Sequence, residues 1–191
     1  MEQNKEMTAQ ESLKLISETL NNSRKSILRN HAKYYVLWGS LLTVFSLVIY
    51  LLWHSTGKPS WNLLWFAMPV FGYLFAWILG NKDTELPESF VGNLTGKVWA
   101  LFGLFSIVLS AIAVFLVPMP ITFTIILLLG LAESITGVIL KNWPVIICGI
   151  LVGIGGAVAA MLLKSEAQLL LFTLGGIILA ATGLIVKSQY K

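Results

Sequence analysis

Six long apolar segments, separated by polar links, constrain the possible folds of this chain more than any other feature. They cover about residues 34–53, 62–80, 98–117, 121–140, 144–163 and 168–186. Each has about the 20 residues that an α-helix needs to cross a hydrocarbon layer of about 30 Å. Inside lipid a helix satisfies its own backbone groups, whereas an isolated extended segment cannot. The sequence therefore predicts an all-α integral membrane protein with six transmembrane helices in hairpin repeats.

The basic residues predict how these helices are oriented. Only 12% of the residues are charged, about half the share in soluble domains. If the N-terminus is cytoplasmic, eleven of the 13 Lys and Arg residues lie on that side, and Lys58 and Lys164 lie on the other. Cytoplasmic loops of membrane proteins are enriched in Lys and Arg. We therefore expect a multi-pass protein of a bacterial inner (cytoplasmic) membrane with both termini inside, and no nucleic-acid partner.

Residues 1–33 form an N-terminal segment ahead of the helical bundle, which we place at 34–187. Thr8 and Glu11 have the spacing of a capping box, in which each side chain bonds the backbone amide of the other residue. Apolar residues then recur at helical spacing, at Leu13, Ile16, Leu20 and Ile27. This pattern predicts an amphipathic helix that is cytoplasmic or lies in the membrane interface.

A basic stretch follows this apolar stripe next to the first span. Contacts to anionic lipid headgroups are predicted for Arg24, Lys25, Arg29 and Lys33. Each basic residue near a charged membrane surface contributes about 1 kcal/mol to binding. The alternative is that these residues only fix the orientation of the chain. The apolar stripe equally fits a helix of a protein partner, and a homo-oligomer is the other alternative.

Small residues and one proline mark the packing surfaces of the spans. Helices approach closely in lipid where small residues recur at four-residue spacing, as at Gly72, Ala76 and Gly80, and at Gly149, Gly153 and Ala157. We expect these faces to pack within the chain rather than between two copies. Pro69 removes a backbone donor in the middle of the second span and is predicted to kink it.

An internal repeat relates the last two hairpins. Residues 97–141 align with residues 143–187 at an offset of 46 residues, with ten identities. These include Gly130 with Gly176, and Gly137 with Gly183. Because the unit is a two-span hairpin, both copies would cross the membrane in the same sense.

The repeated hairpins resemble the HdeD-like family of six-span acid-resistance membrane proteins. The resemblance covers residues 98–187 and rests on an early glycine, a proline-bearing turn and a late Thr-Gly. The residues that carry it are Gly103, Pro118, Gly130, Gly137, Gly149, Gly176 and Gly183. This resemblance implies a six-span fold and a stress-related role.

The sequence contains no pattern of a catalytic, metal or cofactor site. His31 and His54 have no ligand-type residue at metal-binding spacing, and no Ser-His-acid set or phosphate-binding glycine loop occurs. The one cysteine, Cys148, lies inside a span and is read as a small buried hydrophobic residue. We therefore predict a protein that is not an enzyme and that needs no cofactor.

Glu133 is the candidate intramembrane polar site. It is the carboxylate that lies well inside a span, eight residues before Lys141, or about 12 Å along the helix axis. A carboxyl group at that depth should face the bundle and find a partner, for which Tyr73, Ser106 and Ser110 are candidates. Leu179 occupies the equivalent position in the second repeat. Glu133 is thus either functional, in proton sensing or polar-ligand binding, or structural, in an interhelical hydrogen bond.

Two functions follow from these features. The favoured one is a small polytopic inner-membrane protein with a non-catalytic structural, stress-response or interaction role. The alternative is a transporter or channel subunit with Glu133 as its intramembrane proton or polar-ligand site. The repeat and Pro69 support that alternative, because both features recur in transporters.

Overall fold

The computed structural model of the chain describes residues 8–80, 90–117 and 119–189. Its helices are α1 (Ala9–Thr56), α2 (Ala67–Gly80), α3 (Phe90–Phe115), α4 (Ile121–Leu140), α5 (Trp143–Ile150), α6 (Gly156–Leu162) and α7 (Leu169–Gln189). A 3-10 helix, Pro59–Phe66, leads into α2, and a π-helical turn, Leu151–Gly155, joins α5 to α6. Within the described ranges six helical segments are long and apolar enough to cross a membrane. The predicted all-α membrane fold is confirmed.

The helix bounds agree with the predicted spans in the second half of the chain and differ in the first half. α4 covers the predicted residues 121–140, and the fifth span runs from Trp143 to Leu162. The third span, predicted to begin at residue 98, begins at Phe90. Residues 90–97 are therefore helical where a loop was predicted. Residues 81–89 of that predicted loop lie outside the described part of the chain.

The predicted N-terminal helix and the first span are one continuous helix. Thr8 caps α1, and the predicted capping box is present: the Thr8 amide donates to Glu11 Oε2 at 2.9 Å, and the Glu11 amide donates to Thr8 Oγ1 at 3.3 Å. α1 has 48 residues, which corresponds to about 72 Å. Since the hydrocarbon layer is about 30 Å thick, much of α1 extends beyond it.

The capping box should make the first turn of α1 sensitive to pH. The hydrogen bonds from the Thr8 amide and hydroxyl lower the pKa of Glu11. A carboxyl group with a lowered folded-state pKa stabilises the folded turn above its unfolded pKa, and this stabilisation is lost as pH falls through the folded value. We expect NMR carbon shifts of Gln10 and Ser12 to move toward coil values on acidification. Thr8→Ala should show coil-like shifts at every pH, and equal pH profiles for the two proteins would contradict this expectation.

Two helix pairs form the core, and glycines allow the close approach of the helices in each pair. In the first pair α1 lies against α7. A Cβ on Gly39 would lie 2.5 Å from the Ala180 nitrogen, and a Cβ on Gly183 would lie 2.9 Å from the Ala32 carbonyl oxygen. Since these neighbours are backbone atoms, they cannot move aside as a side chain would. The two backbones therefore pack as closely as their atoms allow.

The second pair, α4 and α5, is built in the same way. A Cβ on Gly130 would overlap backbone atoms of Gly149 and Gly153, and one on Gly137 would lie 2.6 Å from the Ile146 nitrogen. The small residues of the fifth span thus pack within the chain, as predicted. At the alignment offset of 46 residues, Gly130 and Gly137 correspond to Gly176 and Gly183. These two glycines allow the same close backbone approach between α7 and α1.

The α2 and α3 helices lie at the periphery. Large apolar side chains on both are exposed, and a Cβ on Gly103 would meet no atom within 4 Å. Gly72 faces the Trp38 ring of α1. Pro69 falls in the first turn of α2, just after the 3-10 helix ends. A missing amide costs little in a first turn. The change from 3-10 helix to α-helix lies two residues before Pro69, and the kink stays a prediction.

Part of the N-terminal segment belongs to the core. Leu13 and Ile16 are 68% and 57% exposed, whereas Ile27 and Leu28 are 6% and 1% exposed. Ile27 and Leu28 belong to the same apolar cluster as Val91 of α3. The last turns of the segment that the sequence placed ahead of the bundle therefore pack into the core.

Candidate functional site

Glu133 lies in the middle of α4 and is almost completely buried. Its side chain is 2% exposed, and neither carboxyl oxygen has a hydrogen-bond partner among the described residues. The sequence analysis expected Tyr73, Ser106 or Ser110 as partner, and none of the three bonds to it. Tyr73 is 72% exposed on α2, and Ser106 Oγ is itself buried without a partner. The predicted interhelical hydrogen bond is therefore absent from the described part of the molecule.

Glu133 faces a small cavity between α4, α5 and α7. The cavity measures about 10 Å³, which is about the space that one water molecule needs. Apart from Glu133 its lining is apolar or weakly polar: Leu129, Cys148, Val152, Gly175 and Leu179. Leu179, the counterpart of Glu133 in the aligned repeat, thus lines the same cavity. The two equivalent positions of the alignment meet at one place in the core.

The helix face that carries Glu133 is held in place by close backbone contacts. One turn away on either side, Gly130 and Gly137 pack against α5, and a Cβ on Gly149 would overlap Ser134 of α4. Because these contacts fix the rotation of α4, the carboxyl group is directed into the core. A charged carboxylate is costly in such surroundings unless a hydrogen-bond donor or cation accompanies it.

Two titratable side chains that the sequence did not connect with Glu133 lie near it: Tyr35 of α1 and Cys148 of α5. Cys148 is 2% exposed and lines the cavity, so its prediction as a buried small residue is confirmed. Neither side chain carries a positive charge. The hydropathy of single spans contains no signal for these neighbours, because the packing of α1, α4 and α5 brings them together.

The π-helical turn lies beside the same cavity. Val152 of this turn lines the cavity, and Gly153 contacts Gly130. A π turn interrupts the regular i to i+4 hydrogen bonds of a helix, and such turns are frequent at functional sites and at bends. The π-helical turn of the fifth span thus lies against the cavity that Glu133 faces.

The predicted headgroup contacts lie near the buried end of the amphipathic segment. Lys25 is exposed, as a headgroup contact requires. Lys33 Nζ donates to the Leu79 carbonyl oxygen at 3.3 Å and lies 5.2 Å from the centre of the Tyr34 ring. A lysine at the last carbonyl groups of a helix stabilises that helix end. Lys33 therefore links α1 to the end of α2. The structure does not describe the side chains of Arg24 and Arg29.

In the described ranges no three His, Cys, Asp or Glu residues lie close enough to hold a metal ion. His54 has a partner that the sequence did not indicate: His54 Nδ1 lies 3.5 Å from Glu166 Oε1. This contact connects the end of α1 with the link between α6 and α7.

Comparison with known proteins adds no relative. The chain matches no family model, no curated protein and no solved structure.

Proposed function

We propose that this chain is a non-catalytic, multi-pass component of a bacterial inner membrane that acts through interaction with another protein. The observation that carries this proposal is the exposed part of α1. Leu13, Leu15 and Ile16 are each more than half exposed, at the end of a helix that runs without interruption into the first span. A large apolar patch outside the membrane commonly marks an interaction site.

A protein partner fits this patch better than the lipid surface does. A helix that lies in the membrane interface needs a bend before it enters the membrane, and α1 continues as one helix from Ala9 to Thr56. Its first turns therefore keep the direction of the transmembrane part. An amphipathic helix of a partner, or of a second copy, would cover Leu13 and Ile16 in the manner of a helical pair. Anionic headgroups remain proposed contacts of the basic stretch, foremost of Lys25.

The orientation and the stress-related role belong to the same proposal. The excess of Lys and Arg on one side supports a cytoplasmic location of both termini. A helix that extends from the inner membrane into the cytoplasm could couple the state of the membrane to a cytoplasmic partner. This arrangement supports a stress-response role, as the resemblance to the HdeD-like family also suggests.

The interaction role can be tested by affinity purification in a mild detergent, followed by mass spectrometry. We expect a partner in stoichiometric amount with the wild-type protein, and its loss with Leu13→Ser/Ile16→Ser. The matched control is Lys14→Ser/Glu18→Ser, which changes the polar side of the same turns and should keep the partner. Chemical crosslinking of the purified protein reports whether the partner is a second copy. Equal recovery with all three proteins, or no recovery with any, would contradict the proposal.

A second candidate function is supported by Glu133. An unpartnered carboxyl group inside a span is typical of proton and ion pathways. In this candidate the chain is a transporter or channel subunit, and Glu133 binds a proton or a polar ligand. Flux of protons or solutes into proteoliposomes that is lost in Glu133→Gln would favour transport over the interaction role.

A further inference from the structure

Glu133 and Val152 of the π-helical turn line the same cavity. The interaction role does not use this arrangement, and the inference rests on the proton binding of the second candidate function. We propose that Glu133 is a proton-binding site and that loss of its proton opens the contact between α4, α5 and α7 at the π-helical turn. The ligand is a single proton. On release, the carboxyl O–H bond breaks, the electron pair stays on the carboxylate oxygen, and the proton passes to water.

The surroundings of Glu133 favour one protonation state in the closed structure. The cavity lining provides no cation and no hydrogen bond to either carboxyl oxygen among the described residues. A neutral carboxyl group is tolerated in such a site far better than a charged one. The ionised form must therefore obtain solvent or a donor, and the closed cavity, at about 10 Å³, has no room for a hydration shell.

The groups that face Glu133 do not supply the missing partner. Tyr35 of α1 and Cys148 of α5 carry O–H and S–H donors, but neither donates to a carboxyl oxygen of Glu133 in this structure, and neither carries a positive charge. The α7 residues that line the cavity are Gly175 and Leu179. The titratable residue of that helix is Lys187, eight residues beyond Leu179 and so about 12 Å along its axis. The ionised carboxylate is therefore stabilised by a change of helix packing rather than by a neighbouring side chain.

The π-helical turn supplies the place where the packing can change. Val152 of the turn lines the cavity, and Gly153 contacts Gly130. Gly155, at the end of the turn, has no neighbour within 4 Å of a Cβ position. Helices often bend at π turns. Movement of α5 about this turn would separate Cys148 from Leu179 and admit water to Glu133.

Cys148 is a native reporter of this opening. It is the single cysteine of the chain, it lines the cavity, and it is 2% exposed in the closed structure. A small uncharged thiol reagent should therefore reach it only when the cavity opens. The reaction rate must be divided by the rate for the unfolded protein at the same pH, because thiol ionisation itself accelerates the reaction.

The test is the pH dependence of this normalised rate in proteoliposomes. For the wild type we expect an increase of about tenfold per pH unit below the midpoint, as ionisation of one group requires. Glu133→Gln, which cannot ionise, should stay slow at every pH. Glu133→Asp should restore a pH-dependent rise. Equal profiles for wild type and Glu133→Gln, or fast reaction of Glu133→Gln at all pH values, would overturn the proposal.

Glu133→Leu is a second variant that cannot ionise, and it replaces Glu133→Gln in the test if the glutamine variant does not fold. It copies Leu179 of the aligned repeat, and gel filtration in detergent checks that it is folded. Its normalised rate should be slow and independent of pH, and a pH-dependent rise in this variant would equally overturn the proposal. Because labelling of Cys148 needs no partner, failure of this proposal is distinguishable from failure of the interaction role.

Discussion

Gly130→Ala is expected to disrupt the contact between α4 and α5 and to give the largest loss of stability of any single methyl addition in the bundle. The new Cβ would overlap backbone atoms of Gly149 and Gly153, which cannot rotate away. Overpacking of a core commonly costs about 1–3 kcal/mol, and more where backbone must move. We expect a lower thermal midpoint in detergent and a large aggregated fraction in gel filtration.

Gly103→Ala is the matched control for this change. Gly103 aligns with Gly149 at the offset of 46 residues, yet a Cβ on Gly103 would meet no atom within 4 Å. Alanine is favoured over glycine in a helix by about 1 kcal/mol, so the thermal midpoint should stay equal or rise. Equal destabilisation by the two variants would show that the close contact of α4 with α5 does not support the fold.

Deletion of residues 2–30 is expected to destabilise the bundle strongly, whereas deletion of residues 2–19 should leave it intact. The longer deletion removes Ile27 and Leu28, which are buried in the core cluster. Loss of one such side chain costs about 2–5 kcal/mol. The described residues that the shorter deletion removes are mainly exposed, such as Leu13 and Ile16. The thermal midpoints of both truncated proteins in detergent measure the difference.

Two point variants separate side-chain packing from loss of the helix itself. Leu28→Ala should lower the midpoint in the same sense as the longer deletion, while Leu15→Ala, at a residue that is 54% exposed, should stay within about 0.5 kcal/mol of wild type. If the longer deletion and Leu28→Ala both behave as wild type, the N-terminal turns are peripheral throughout.

The sequence predicted the long, uniformly apolar helices well, because hydropathy and length alone decide whether such a segment spans a membrane. It failed where tertiary packing overrides local signals. Residues 90–97 belong to a polar stretch that was predicted to link two spans, yet they are helical, and Val91 is buried in the core cluster. The 3-10 helix and the π-helical turn also have no hydropathy signal, because they differ from an α-helix only in hydrogen-bond pattern.

The candidate site was also predictable in part, because the sequence identifies the residue but not its neighbours. Glu133 stood out as a carboxylate inside a span, and the small residues on its face indicated a packing surface. The residues that surround Glu133 depend on which helices pack against α4 and on how α4 is rotated about its axis. The glycine contacts of α4 with α5 set both, and hydropathy does not reveal them. For this reason Tyr73 was predicted as a partner and Cys148 was not.

Labelling of single cysteines tests the proposed topology, in which six spans place both termini in the cytoplasm. In a Cys148→Ala background, cysteines replace Asn93, Ser188, Ser60 and Ser165, all exposed positions near span ends. A maleimide that does not cross membranes is added to intact cells and to opened membranes. We expect Ser60→Cys and Ser165→Cys to react in intact cells, and Asn93→Cys and Ser188→Cys to react only after opening. The reverse pattern at any two of these sites would contradict this topology.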